Sequence, residues 1–249
     1  MSSFNLPRTV LVPLTLHRSD LQLEAKLVVA LGDNAWSLMD LSGEIFGKAE
    51  AVYLSTLRFE RRQKSYVLGR YAAKIALGNA LVESDLRTIE IERGVFEQPV
   101  VRYSRDDKWD VTISHTEFLA VALAYPRGHP MGIDIERIDA AGAETASSQL
   151  SEQEAGWIEG QPANKLETIF ALWTAKEALS KALRTGLTSP IEIYNLAEFS
   201  RIGSGIWEGL FLSFAQYKAR VWIGSSSVLA IVLPKQSTIF TEANLCGIL

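Results

Sequence analysis

The chain has 249 residues, 47% hydrophobic and 22% charged, which is enough apolar material for one large core or two small ones. Its formal net charge of −4, with acids and bases interleaved, excludes a broad basic face for nucleic acid and a polybasic membrane anchor. A single cysteine, Cys246, excludes an internal disulfide and a cysteine-rich zinc site. No run approaches the roughly 18 apolar residues of a membrane span and the amino terminus has no leader pattern, so a cytoplasmic protein is expected.

Taken in chain order, residues 1–24 read as an amino-terminal arm. LVVAL (Leu27 to Leu31) is strand-like, and a long helix is expected from about Leu57 to Leu81. The IEI triplet at Ile89, DVTIS and LAVALAY follow as strands. After PRGHP (Pro126 to Pro130) the order recurs: MGIDIE as strand, FALWTAKEALSKAL as helix, a second IEI at Ile191 as strand, and KARVWIG with SVLAIVLP as a closing hairpin. The expected fold is therefore α+β, two similar halves related by a pseudo-twofold. Each half is a small, mainly antiparallel sheet packed on a long helix, at 25–126 and 127–249.

The recurrence is visible residue by residue. AKIALGNAL (from Ala73) and AKEALSKAL (from Ala175) agree at six of nine positions, and both IEI triplets keep the same offset of 102. Glu177 and Lys181 of the second copy stand where the first has Ile75 and Asn79. The scaffold does not need those charges. Trp173, Glu177 and Lys181 share one side of the helix at i, i+4, i+8. Asp134 and Glu136, two apart in GIDIE, share one face of a strand. A solvated ion pair accounts for the helix charges taken alone; with a second acidic site, the strand acids either point to solvent or hold a cation. Three carboxylates suit a hard divalent ion that completes its shell with water and phosphate oxygens. Zinc fits poorly, since His17, His115 and His129 have no paired spacing. His115, just after a strand and beside Ser114, is the informative histidine, because the matching second-half strand ends in WIGSS.

Together ISH (Ile113 to His115), GIDIE (Gly132 to Glu136) and WTAKEALSKAL (Trp173 to Leu183) resemble, in order, the signature of the 4′-phosphopantetheinyl transferases. The larger, pseudo-dimeric subgroup is the nearer likeness, over about Leu57 to Pro190. The resemblance implies transfer of phosphopantetheine from coenzyme A to a serine of an apo acyl or peptidyl carrier protein, releasing adenosine 3′,5′-bisphosphate. By the same resemblance Asp134, Glu136 and Glu177 would hold Mg²⁺ against the pyrophosphate, and Lys181 would meet charge developing on the phosphate oxygens. The general base is Glu177 or a water on the metal, with His115 as the alternative. Ser114 and His115 would contact nucleotide phosphates, and Arg62 and Lys64 the adenosine 3′-phosphate. Arg58, Arg61, Arg70 and Lys74 read as a solvated face, and Lys176, matched by Lys74, reads as either scaffold or site.

One departure stands out: where many relatives carry Gly-Lys-Pro, this chain has Glu97, Gln98 and Pro99. Gln98 can still donate to a phosphate but brings no charge. The alternative reading is therefore a non-catalytic relative that binds coenzyme A or a carrier protein. Because the chain supplies its own pseudo-dimer, a monomer is expected.

Overall fold

The computed structural model describes residues 6–161 and 164–249; the first five residues of the expected arm lie outside them. Two compact units emerge, one of residues 1–129 with 239–241, the other of residues 130–238 with 242–249.

In the first unit β1 (Thr9–Arg18) and β2 (Leu21–Leu31) form a hairpin over ten register pairs. The expected arm is thus sheet from Thr9 onward. Pro13 interrupts its apolar run yet is accommodated within β1, paired with Lys26, so the proline masks a strand instead of ending one. Helix α1 (Lys48–Thr56) and the long α2 (Glu60–Leu81) follow, then the short hairpin β3 (Glu90–Arg93) and β4 (Pro99–Arg102). Strands β5 (Trp109–His115) and β6 (Leu119–Pro126) complete the set. Buried Val67, Leu68, Ala72, Ala76 and Leu77 of α2 pack on Val28, Ala30, Ala120 and Ala122 of the sheet. Each large aliphatic side chain so buried contributes about 1.5–3 kcal/mol.

The second unit opens with β7 (Gly132–Arg137), then α3 (Glu152–Glu159) and the long α4 (Lys165–Ala182). Strands β8 (Leu196–Gly203), β9 (Ile206–Phe211), β10 (Tyr217–Ile223) and β11 (Ser227–Pro234) follow. The short β12 (Thr238–Phe240) belongs to the sheet of the first unit, beside β1. The strand orders are β12-β1-β2-β6-β5 and β7-β11-β10-β9-β8, antiparallel from β1 to β5 in the first and throughout the second. Ile169, Phe170, Leu172 and Leu179 of α4 pack on Val221, Val228 and Val232.

The two long helices end alike. The amide of Glu83 bonds the carbonyl of Gly78 past Val82 at φ 54°, and that of Thr185 bonds Ser180 past Arg184 at φ 59°. Both are left-handed caps that satisfy a terminal carbonyl. The second IEI triplet departs from expectation: Ile191–Tyr194 is a 3₁₀ turn, and the strand begins only at Leu196. Pro190, at φ −51°, has no N–H to donate to a ladder and starts the turn instead.

Candidate active site

The charged residues gather in the second unit because a helix lies directly on a strand. Gly132 makes this possible: a Cβ there would stand 2.0 Å from the carbonyl oxygen of Ala178 and 2.5 Å from the nitrogen of Ala182. Only glycine lets α4 approach β7 so closely. Asp134 and Glu136, at the same strand parity as Gly132, face that helix. On α4, Trp173, Glu177 and Lys181 form a half-buried stripe along a helix otherwise mostly buried from Thr168 to Ala182. The structure thus brings together four residues expected as one site.

Their contacts are specific. Lys181 Nζ donates to Asp134 Oδ1 at 2.6 Å, and the Asp134 side chain is 4% exposed, so its charge is met by an ammonium and not by water. Trp173 Nε1 donates to Glu136 Oε1 at 3.3 Å, which fixes the carboxylate's orientation. Burial, then the neighbouring Asp134 charge, pushes Glu136 up to about 7, against the opposing pull of Trp173 and Lys181. Glu177 is likewise pushed up to about 7 by burial and by Asp134, with Glu136 adding to the effect and Lys181 opposing it. Crowded acids of this kind mark functional sites more often than structural ones.

The donor set is all hard oxygen and fits a divalent cation such as Mg²⁺, whose charge would replace the mutual repulsion with attraction. Among the described residues, no three His, Cys, Asp or Glu side chains already stand at mutual ligand spacing, and Asp134 is paired with Lys181.

The remaining predicted residues lie in the first unit. His115 ends β5 with an exposed side chain on the face that meets α2, beside Gly69, where an added Cβ would stand 3.2 Å from Ile113 Cγ2. Ser114, its neighbour in the strand, is buried and points to the opposite face. Arg62 is exposed and Lys64 half-buried near the start of α2. Gln98 is occupied locally: its Oε1 accepts from the amide of Phe96 at 2.9 Å, and its amide group lies over Gly94, closing the β3–β4 turn. The solvated face expected for four basic residues is half wrong. Arg58 and Arg61 are exposed, but Arg70 is 8% exposed and Lys74 wholly buried, because that side of α2 faces α1 and the approach to β3. Arg70 and Arg93 line a pocket of about 330 Å³ with Tyr53 and Tyr66, and the Arg93 guanidinium stacks 4.2 Å over the Tyr53 ring.

Sequence reasoning also missed the partners of Lys176. Its Nζ is buried against Glu154 at 2.7 Å, Asn195 Oδ1 at 2.7 Å and the carbonyl of Gln149 at 2.9 Å. Lys176 therefore belongs to the scaffold. The one available signal was its match to Lys74, itself bonded to buried Glu50 at 2.7 Å.

Residues 130–231 match the model of the 4′-phosphopantetheinyl transferase superfamily. Over 84 residues the sequence is 36% identical to the 4′-phosphopantetheinyl transferase gsp of Aneurinibacillus migulanus, covering 33% of this chain and 34% of the relative. The alignment thus spans about a third of the length of that curated relative. Among solved structures, a holo-(acyl-carrier-protein) synthase from Bacillus anthracis in complex with CoA (3′,5′-ADP) aligns at 20% identity and TM-score 0.37, over 47% of this chain and 96% of that one. The holo-ACP-synthase of Plasmodium yoelii aligns at 15% and 0.34, over 48% and 96%. Residues 130–231, within the second unit, thus match the 4′-phosphopantetheinyl transferase superfamily, and part of the chain is similar in sequence to the curated transferase.

Proposed function

We propose that this protein transfers the 4′-phosphopantetheine moiety of coenzyme A to a serine hydroxyl of an apo acyl or peptidyl carrier protein, releasing adenosine 3′,5′-bisphosphate. It would work as a cytoplasmic monomer; among the described residues no helix is long and apolar enough to cross a membrane. The observation that carries the reading is the cluster of Asp134, Glu136, Glu177 and Lys181 in the unit that matches the family. Asp134, Glu136 and Glu177 would hold Mg²⁺, which supplies charge neutralisation on the pyrophosphate when bound.

The chain's own groups then have distinct roles. Lys181, a half-buried ammonium one turn beyond Glu177, offers its charge to phosphate oxygens as negative charge develops on the leaving group. Trp173 keeps Glu136 turned toward the cluster through its indole N–H. Glu177, at the edge of the cluster, is the group assigned to take the proton of the attacking serine hydroxyl, directly or through a water. His115 is the alternative base. Its exposed ring at the end of β5, with Arg62 and Lys64, is assigned to the phosphates of coenzyme A, while Ser114, buried on the opposite face, would reach them only through its backbone. Gln98, turned onto its own hairpin, favours weak nucleotide binding and is the observation behind the second reading, a non-catalytic relative that binds coenzyme A or a carrier.

The deciding experiment is intact mass spectrometry of several apo carrier proteins incubated with the protein, coenzyme A and Mg²⁺, beside an EDTA control. A metal-dependent gain of one phosphopantetheine on the carrier serine is expected. Absence of any gain, with coenzyme A binding intact, overturns the catalytic reading in favour of the second.

A further inference from the structure

Each unit contains a fully buried lysine on its long helix, at repeat-matched positions, bonded to a buried glutamate from the short helix before it. Each glutamate also caps the start of its own helix, for Glu50 Oε2 accepts from the amide of Gly47 at 2.8 Å, and Glu154 Oε2 from that of Ser151 at 2.8 Å. The device is duplicated, but its two copies are not equally complete. In the second unit every partner is supplied. The Lys176 ammonium spends its three donors on Glu154, Asn195 and Gln149, while Glu154 Oε1 accepts from the amide of Leu196 at 2.9 Å. In the first unit Glu50 Oε1 has no hydrogen-bond partner and stands 4.0 Å from Arg70 Nε.

A buried ion pair is weak support for stability, since an apolar pair of similar volume often does as well. What it adds is direction. Apolar packing resists separation but constrains the roll and slide of a helix poorly, whereas three hydrogen bonds to fixed points resist both. Lys176 precedes Glu177 by one residue, about 100° around the helix. It ties α4 to the start of α3, to the loop before α3 and to the entry of β8, while Ala178 and Ala182 press on Gly132 of β7.

We propose that the Lys176–Glu154 pair, with Asn195, positions Glu177 by fixing the rotation of α4 against β7, so that three carboxylates can meet one cation. The proposal rests on reading Asp134, Glu136 and Glu177 as a divalent-cation site. The Lys74–Glu50 pair, on a helix with Ile75 in place of Glu177, is its built-in control.

The test uses the full chain and Mn²⁺ as probe, with affinity measured by isothermal titration calorimetry and fold and melting followed by circular dichroism. Two paired replacements are compared, Lys176→Met with Glu154→Met and Lys74→Met with Glu50→Met, since removing both charges strands neither. The pair bonds no carboxylate of the cluster directly, so its loss is expected at the low end of the 10- to 100-fold range seen for outer-shell partners: about 10-fold for the second-unit pair and less than about twofold for the first-unit pair. Asn195→Ala, which strands no charge, should weaken Mn²⁺ binding in the same direction and keeps the test available if a double variant does not fold. Wild-type Mn²⁺ affinity in the folded second-unit variants, or equal loss in both pairs, overturns the positioning role and leaves a scaffold pair. Failure of the wild-type protein itself to bind Mn²⁺ overturns the cation site first, and the proposal with it.

Discussion

The two units are near-copies in plan that differ where chemistry is expected. Strands β6 and β11 are both eight residues long and end in proline, at Pro126 and Pro234. With the prolines aligned, Ala122 corresponds to Ala230 and Ala120 to Val228. The strand partners of the first pair are Val28 and Asp134, and those of the second are Ala30 and Glu136. On the helices Ile75 corresponds to Glu177 and Asn79 to Lys181. Four positions that are apolar or neutral in one unit are all charged in the other. Since the first unit folds around Val28 and Ala30 at zero exposure, the charges answer no structural need. Burial, and after it the Asp134 charge, raises Glu136 and Glu177 to about 7, a standing cost to the second unit.

The sharpest way to break this comparison is to remove a charge. Asp134→Ala or Glu177→Gln should reduce carrier modification by about 10³-fold or more, as expected when several kcal/mol of charge stabilisation is lost. Circular dichroism should show the fold retained. Near wild-type turnover in either variant would remove these residues from the site. Lys181→Asn, which installs the first-unit residue, should cost about 10²-fold in kcat. It should also lower the melting temperature, because the buried Asp134 carboxylate loses its ammonium partner. If kcat is unchanged while only KM rises, Lys181 binds ground-state phosphate and does not act in the transition state.

Glycine at 132 tests the geometry instead of the charges. Gly132→Ala would drive a methyl into the backbone of α4 and should destabilise by about 1–3 kcal/mol, the usual range for overpacking. Denaturant unfolding measures this directly. An unchanged midpoint would mean that α4 can ride off β7 freely and that the close approach does not hold the site.

How far the sequence alone reached follows from the same contrast. The helix and strand charges stood out because they interrupt apolar runs whose period is clear, and because a second copy lacks them. Glu154 did not stand out: within SEQEAGW it looks like any acidic first turn, and its partner Lys176 lies 22 residues away, beyond any periodic signal. The second IEI triplet misled because identical residues follow Pro190 there and form a 3₁₀ turn. Arg70 and Lys74 were misplaced for a related reason, since a long helix pressed on by α1 and by the segment leading to β3 has more than one buried side.

The gentlest perturbation reads the cost of burying an acid beside other acids. In EDTA, Glu177 is expected to hold its proton to about 7 in the folded protein, against an ordinary value of 4.5. The folded state then binds more protons than the unfolded one across that window, so the Glu177 contribution is fully present below 4.5 and is lost as pH rises through about 7. Glu177→Gln lacks this dependence. Its melting temperature should exceed that of the wild type by more at about pH 8 than at about pH 5, by a few degrees for a difference of about 1 kcal/mol. Glu177→Ile, the residue of the first unit, should widen the margin further at the higher pH, because an apolar side chain needs no solvation at that half-buried position. A margin equal at both pH values would show that Glu177 titrates normally in the folded chain, and that the second unit carries its charges without strain.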